Sequence, residues 1–184
     1  MTPPRLLDAD LLADFEAALR AKGIDTDALS PGLTDAEIDQ IIEPWQLQFH
    51  EVRAWWRWRN GGPPRKSLYL LPRRVMLDLE TAIQSHVHNL RSGRTEYADP
   101  RGGVQPVDWS PAVVVQCVSG GNVPAPIYAV HDPAAPANLV LASFGELVLT
   151  WLDLIEQGVY ATRPEGGWSE TQEYPPDVLA LGVA

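Results

Sequence analysis

The chain has 184 residues, 45% of them hydrophobic, with seven tryptophans, enough apolar material for one ordinary core and too little for two. Its single cysteine, Cys117, excludes an internal disulfide framework, and no run approaches the ~18 apolar residues of a membrane span. The formal net charge is −10 and the pI is near 4.7, yet the charge is unevenly placed. Residues 1–52 carry 11 acids against 3 bases, residues 53–101 carry 4 acids against 10 bases, and residues 102–184 carry 9 acids against 1 base. Acidic outer segments oppose adhesion to nucleic acid and anionic lipid and steer basic proteins toward the surface.

The first twenty residues bear acids every few positions instead of a basic start and an apolar core, so the expected location is cytoplasmic. Residues 1–7 read as a loose end. Asp8 or Asp10 then caps a helix whose Leu11 or Leu12, Phe15 and Leu19 form an apolar stripe, closed by Gly23. A turn-rich connection follows. Thr34 and Glu37 form a capping box opening a short helix with Ile38, Ile41 and Ile42 buried and Asp35, Asp39 and Gln40 outward, ended by Pro44. The spacing predicts a second helix over about 48–59, with Phe49, Val52, Trp55 and Trp56 inward and Arg53 and Arg57 on the opposite, solvent side. It stops at Asn60-Gly61.

Gly61 to Pro64 form a loop that exposes Arg65 and Lys66. Residues 68–71 read as a strand, 72–74 as a turn and 75–77 as a short extension. Asp78 caps a helix to about Leu90 carrying Leu79, Ile83 and Val87 inward and His86 and His88 near a solvated end. Residues 91–108 read as a long polar loop, a candidate contact surface by its length. Strands are expected over 112–118, 127–131 and 138–141, with a hairpin-like turn at Ser119 to Asn122. Ser143 and Glu146 open a last helix, apolar nearly all round through Leu147, Val148, Leu149, Trp151, Leu152, Leu154 and Ile155, which must be buried. The tail after Tyr160, with Gly166-Gly167 and Pro175-Pro176, reads as a wrap or a flexible end.

Four segments in order carry a family resemblance: the capped helix from Thr34 reaching Asn60-Gly61, Leu79-Glu80-Thr81-Ala82, Trp109-Ser110-Pro111, and Ser143-Phe144-Gly145-Glu146-Leu147 with Gly158 and Tyr160 beyond it. Over residues 30–160 they resemble the SUKH superfamily, the cell-wall-regulator-like (Smi/Knr) domains. The family's usual Leu-Pro before the second helix is replaced by Leu47-Gln48-Phe49. The resemblance implies an α+β fold, a single domain with a mostly antiparallel sheet flanked by helices. It divides the chain into an N-terminal helical extension (1–29), the SUKH-like core (30–161) and a C-terminal tail (162–184). In bacteria the family implies immunity proteins that bind and neutralise a cognate toxin, often a nuclease; fungal members imply a regulatory scaffold of cell-wall synthesis.

No chemical motif stands against that binding role. His86 and His88, two apart on a helix, point about 200° apart and do not converge on one ion. His50 and His131 lack companions at ligand spacing, and Cys117 in a valine-rich strand reads as a small hydrophobe. Asp35, Asp39, Glu37, Asp78 and Glu80 are explained by capping and helix solvation. No nucleophile elbow or phosphate-binding glycine loop occurs. No catalytic residue, metal or cofactor is therefore assigned, and no small-molecule substrate is expected. The run Arg53 to Arg59 interleaves bases with tryptophans, the ingredients of a single-strand nucleic-acid surface together with Arg65, Lys66, Arg73 and Arg74, though helical spacing assigns Trp55 and Trp56 to the core. The expected partner is a basic protein, and the residues assigned to its contact are Arg57, Trp58, Tyr97, Asp99 and Asp132.

Overall fold

The computed structural model describes residues 3–45, 47, 50–62, 69–72, 74–91, 103–104, 107–108, 112–116, 124–130 and 138–169. Along them run α1 (Ala9–Ala21), α2 (Asp35–Ile42), α3 (Arg53–Trp58), β1 (Tyr69–Leu71), β2 (Arg74–Met76), α4 (Leu79–Arg91), β3 (Gly103–Val104), β4 (Val107–Asp108), β5 (Ala112–Gln116), β6 (Ile127–Val130), β7 (Asn138–Leu141) and α5 (Phe144–Glu156). The class is α+β. One sheet has the order β1-β2-β4 and the other β3-β5-β6-β7, and each of these pairings is antiparallel.

The helix starts follow their sequence signals. The Asp8 carboxylate accepts from the Leu11 amide at 2.9 Å, Thr34 and Glu37 complete the reciprocal box of α2, and Ser143 Oγ accepts from the Glu146 amide at 3.0 Å. At α5 the return bond is displaced by one residue, because Glu146 accepts from Ala142 instead of Ser143. Asp78 accepts from the Thr81 amide, and Asn60 Oδ1 takes the Leu79 amide, so two side chains close the N-terminus of α4.

The core sits where α1, α3 and α5 meet. Phe15, Trp55, Phe144 and Trp151 are fully buried, with Trp55 edge-on to Phe144 at 5.3 Å and Phe15 stacked on Trp151 at 6.2 Å. Such pairs add about 0.5–1.5 kcal/mol beyond the burial of their area. The expectation that α5 is buried all round is corrected: Leu147, Val148, Trp151, Leu152, Leu154 and Ile155 are buried on one half of its circumference, while Glu146, Leu149 and Thr150 are half-buried and Asp153 and Glu156 exposed on the other. Residues 30–33 run beside the end of α3: the Leu33 amide donates to Trp56 O and Pro31 bridges Arg59. Only glycine fits at position 32, where a Cβ would collide with the Arg57 carbonyl.

Several expectations are corrected. The second helix begins at Arg53, not near residue 48; His50 to Val52 form a bend and turn, and Phe49 lies outside the described residues. Arg74 belongs to β2 rather than a turn, and its side chain is buried, with the guanidinium 6.0 Å from the centre of the Trp151 ring. Within 91–108, read as loop, the pairs Gly103–Val104 and Val107–Asp108 join the two sheets as β3 and β4. His86 is buried instead of solvated, while His88 is exposed; the two do point apart. Beyond α5, Thr162 bridges Trp168, whose buried indole donates to Leu70 O at 3.2 Å, so that part of the tail lies on β1. Cys117, the 119–122 turn, His131 and residues 170–184 lie outside the described residues.

Candidate protein-binding surface

The basic residues of the middle segment are positioned by α3 and by the residue after it. Helical spacing puts Arg53 and Arg57 on one side of α3, and α2 lies along that side. Arg53 donates to Asp39 at 2.6 Å and to Asp35 at 3.2 Å, and Arg57 Nε donates to Asp35 at 2.8 Å. The outward acids of α2 and the outward bases of α3 thus form one clasp between the helices. Partial burial pushes the Asp35 carboxyl upward, but hydrogen bonds from Arg53 and Arg57 outweigh it and hold the group below the usual range.

A second network forms around Glu16 of α1. Glu16 Oε2 accepts from Trp58 Nε1 at 2.7 Å, and Oε1 accepts from Arg20 at 2.8 Å, Thr26 at 2.8 Å and Arg59 at 3.2 Å. Arg20 and Arg59 also share Asp27. Partial burial raises the Glu16 carboxyl, yet these donors prevail, Trp58 foremost, and hold it at about 2.

A third carboxylate ties distant segments. Glu51, in the turn before α3, is buried; Oε1 accepts from the amides of Leu7 at 2.9 Å and Gly145 at 2.6 Å, and Oε2 from Ala125 at 2.7 Å. Gly145 stands in the first turn of α5, where the helix dipole favours a carboxylate, and any Cβ there would run into the backbone of Arg5 and Leu6.

Two of the residues assigned to a partner contact are described. Arg57 is half exposed, with one face engaged by Asp35. Trp58 is not a free surface ring: it is partly buried, 5.2 Å from Trp55 and 5.9 Å from Phe15, with its indole N–H given to Glu16. Local sequence does not show this because Trp58 packs against Phe15 and Glu16 of α1, more than forty residues away. Tyr97, Asp99 and Asp132 lie outside the described residues, as do Arg65, Lys66 and Arg73. Arg53, Arg57, Trp58 and Arg74 therefore do not form a common solvent-facing basic patch: two are clasped to acids, one is packed on α1 and one is buried.

The surface also carries a groove of about 730 Å³ between α2, α4 and the 60–62 turn. Leu33, Ile41 and Ile83 line it along with the acidic residues Glu37, Asp78 and Glu80, and so does Trp45, 43% exposed. The Thr34 amide and hydroxyl both donate to Glu37 and keep its carboxyl low. Nothing in the sequence marks this place, since its acids are accounted for one by one as caps and helix-start charges and only the fold sets them around one hollow. Among the described residues no three His, Cys, Asp or Glu side chains gather as a metal site, and no helix is long and apolar enough to cross a membrane. No protein-family model matches the chain, and no curated protein matches it.

Proposed function

We propose that the chain is a non-catalytic, cytoplasmic protein-binding module of the SUKH type, an immunity protein that binds and neutralises a basic toxin domain. The observation that supports this reading is the way the chain disposes of its own positive charge. Arg20, Arg53, Arg57 and Arg59 each face carboxylates of α1, α2 or the turn between them, so these described bases of α1 and α3 are engaged within the chain instead of being offered to a phosphate backbone. A chain of net charge −10 arranged in this way attracts a basic protein and repels nucleic acid. A nuclease that grips phosphate is such a partner.

The reading predicts a toxin domain encoded beside this gene, and the test is complex formation with it, measured by calorimetry across a salt series, with rescue of growth when the two are co-expressed. A tight complex that weakens as salt rises is expected. Absence of a complex at low salt overturns the immunity reading, and a shift of single-stranded DNA or RNA by the chain alone would replace it with a nucleic-acid role.

A further inference from the structure

We infer that the groove between α2 and α4 is the seat of an arginine-bearing segment of the protein partner. This deepens the immunity reading and rests on it for the partner's identity, but not for the chemistry of the groove. Two groups of acids near α2 differ in their partners. Asp35, Asp39, Glu16 and Asp27 are each within 3.2 Å of an arginine nitrogen. Among the described residues, Glu37, Asp78 and Glu80 have no cation at ion-pair distance, and no lysine, arginine or histidine lines the groove they share. Glu37 and Asp78 are held in place by the hydrogen bonds that cap α2 and α4, bonds from amides and hydroxyls that fix a carboxylate without cancelling its charge. The negative charge is thus preorganised, and the reorganisation cost at binding is low.

Trp45 supplies the second feature. Most of the described tryptophans are buried in the core or packed against it, whereas Trp45 stands open on the short turn after α2, beside the groove. An indole face next to fixed carboxylates suits a guanidinium, which can stack on the ring while its N–H fork reaches the acids. The aliphatic floor of Leu33, Ile41 and Ile83 takes the methylene stem of such a side chain and an apolar neighbour. Lysine meets the charge but not the planar stack, and a nucleic acid can stack a base on the ring but brings phosphate against the carboxylates.

The experiment uses the full chain and two partners: a short synthetic peptide alternating arginine and leucine, and the adjacent toxin domain. Three forms are compared with the wild type. Glu37→Gln/Asp78→Asn/Glu80→Gln keeps both caps, because glutamine and asparagine fill the same capping positions, and removes three charges. Asp14→Asn/Asp153→Asn/Glu156→Gln removes three exposed acids elsewhere, and Trp45→Ala removes the ring. The groove triple is expected to weaken the peptide about tenfold and Trp45→Ala about threefold, with the control triple changing it less than about twofold. Equal losses from the two triples would reduce the effect to net charge and overturn the inference, as would Trp45→Ala binding like the wild type. Wild-type chain that sediments as a dimer and groove-triple chain that sediments as a monomer would assign the groove to a second copy instead. If the toxin binds wild type and groove triple alike, the inference falls and the immunity reading stands. If the toxin fails to bind while the peptide shows the groove-specific pattern, the immunity reading falls and the groove remains a cationic-segment site.

Discussion

Replacing Glu51 tests whether one mid-chain carboxylate holds three remote segments together. In Glu51→Ala, the amides of Leu7, Ala125 and Gly145 lose their acceptors. Hydrogen bonds to a charged group contribute about 1.5–3 kcal/mol each and a buried unsatisfied donor costs about 1–3 kcal/mol, so three independent losses would approach the whole stability of an ordinary domain. The losses are not independent. The vacated volume admits water, which satisfies part of the set, and we take about 4 kcal/mol as the expected cost. Glu51→Gln should cost about 2 kcal/mol: its oxygen can replace Oε1, which serves Leu7 and Gly145, while its NH₂ faces the Ala125 amide, donor against donor. Urea unfolding gives both values, and in thermal melts the alanine form should fall by about 8–16 °C for a chain of this length. Amide exchange gives a local readout, with protection lost first at Leu7, Ala125 and Gly145. An alanine form within about 1 kcal/mol of the wild type, with those amides still protected, would refute the reasoning.

The acid limb of stability should depend on Glu16. Its carboxyl lies at about 2 in the folded chain against an ordinary value of 4.5, so its contribution is complete above the ordinary value and is lost as pH falls through the folded one. Glu16→Gln should flatten that limb by about 1–2 kcal/mol after solvent screening, read from urea midpoints at successive pH values. Trp58→Phe keeps most of the ring packing but removes the leading donor, so the Glu16 carboxyl should titrate upward in a carbon-13 NMR titration. Gly145→Ala should destabilise by about 2 kcal/mol or more, because a Cβ meets the backbone of Arg5 and Leu6. Arg57→Ala, at a half-exposed clasp, should leave the unfolding free energy within about 0.5 kcal/mol, so any loss of partner affinity in that form is not a loss of fold.

What was legible in the sequence was local. Asp8, Thr34 with Glu37, and Ser143 act within three residues of themselves, and the stripes of α1, α2 and α5 repeat at the period of the helix, so the chain displays them directly. What was hidden acts over distance. The three bonds of Glu51 span 44, 74 and 94 residues, and no pattern of neighbours marks a lone glutamate as their common acceptor. Trp58 and Arg59 looked like surface residues of a basic run until α1 was laid beside them with Glu16. Local sequence puts Arg74 in a turn and His86 at a wet helix end, but strand pairing and helix docking set them inside. The two-residue strands β3 and β4 are too short to give any alternation to read. The groove went unseen for a related reason: α2 and α4 each explain their own acids, and only their approach sets those acids around one hollow.

The Glu51 tie also bears on how the chain is made. Its last acceptor site is filled by the Gly145 amide, 94 residues downstream, and the ring cluster of Phe15 and Trp55 closes only when Phe144 and Trp151 arrive from α5. At a synthesis rate of about 5–20 residues per second, the growing chain carries this open aromatic seam for about 5–20 s before α5 can seal it. During that interval the newborn polypeptide is most exposed to chaperones, and to mispairing with its neighbours on the same message.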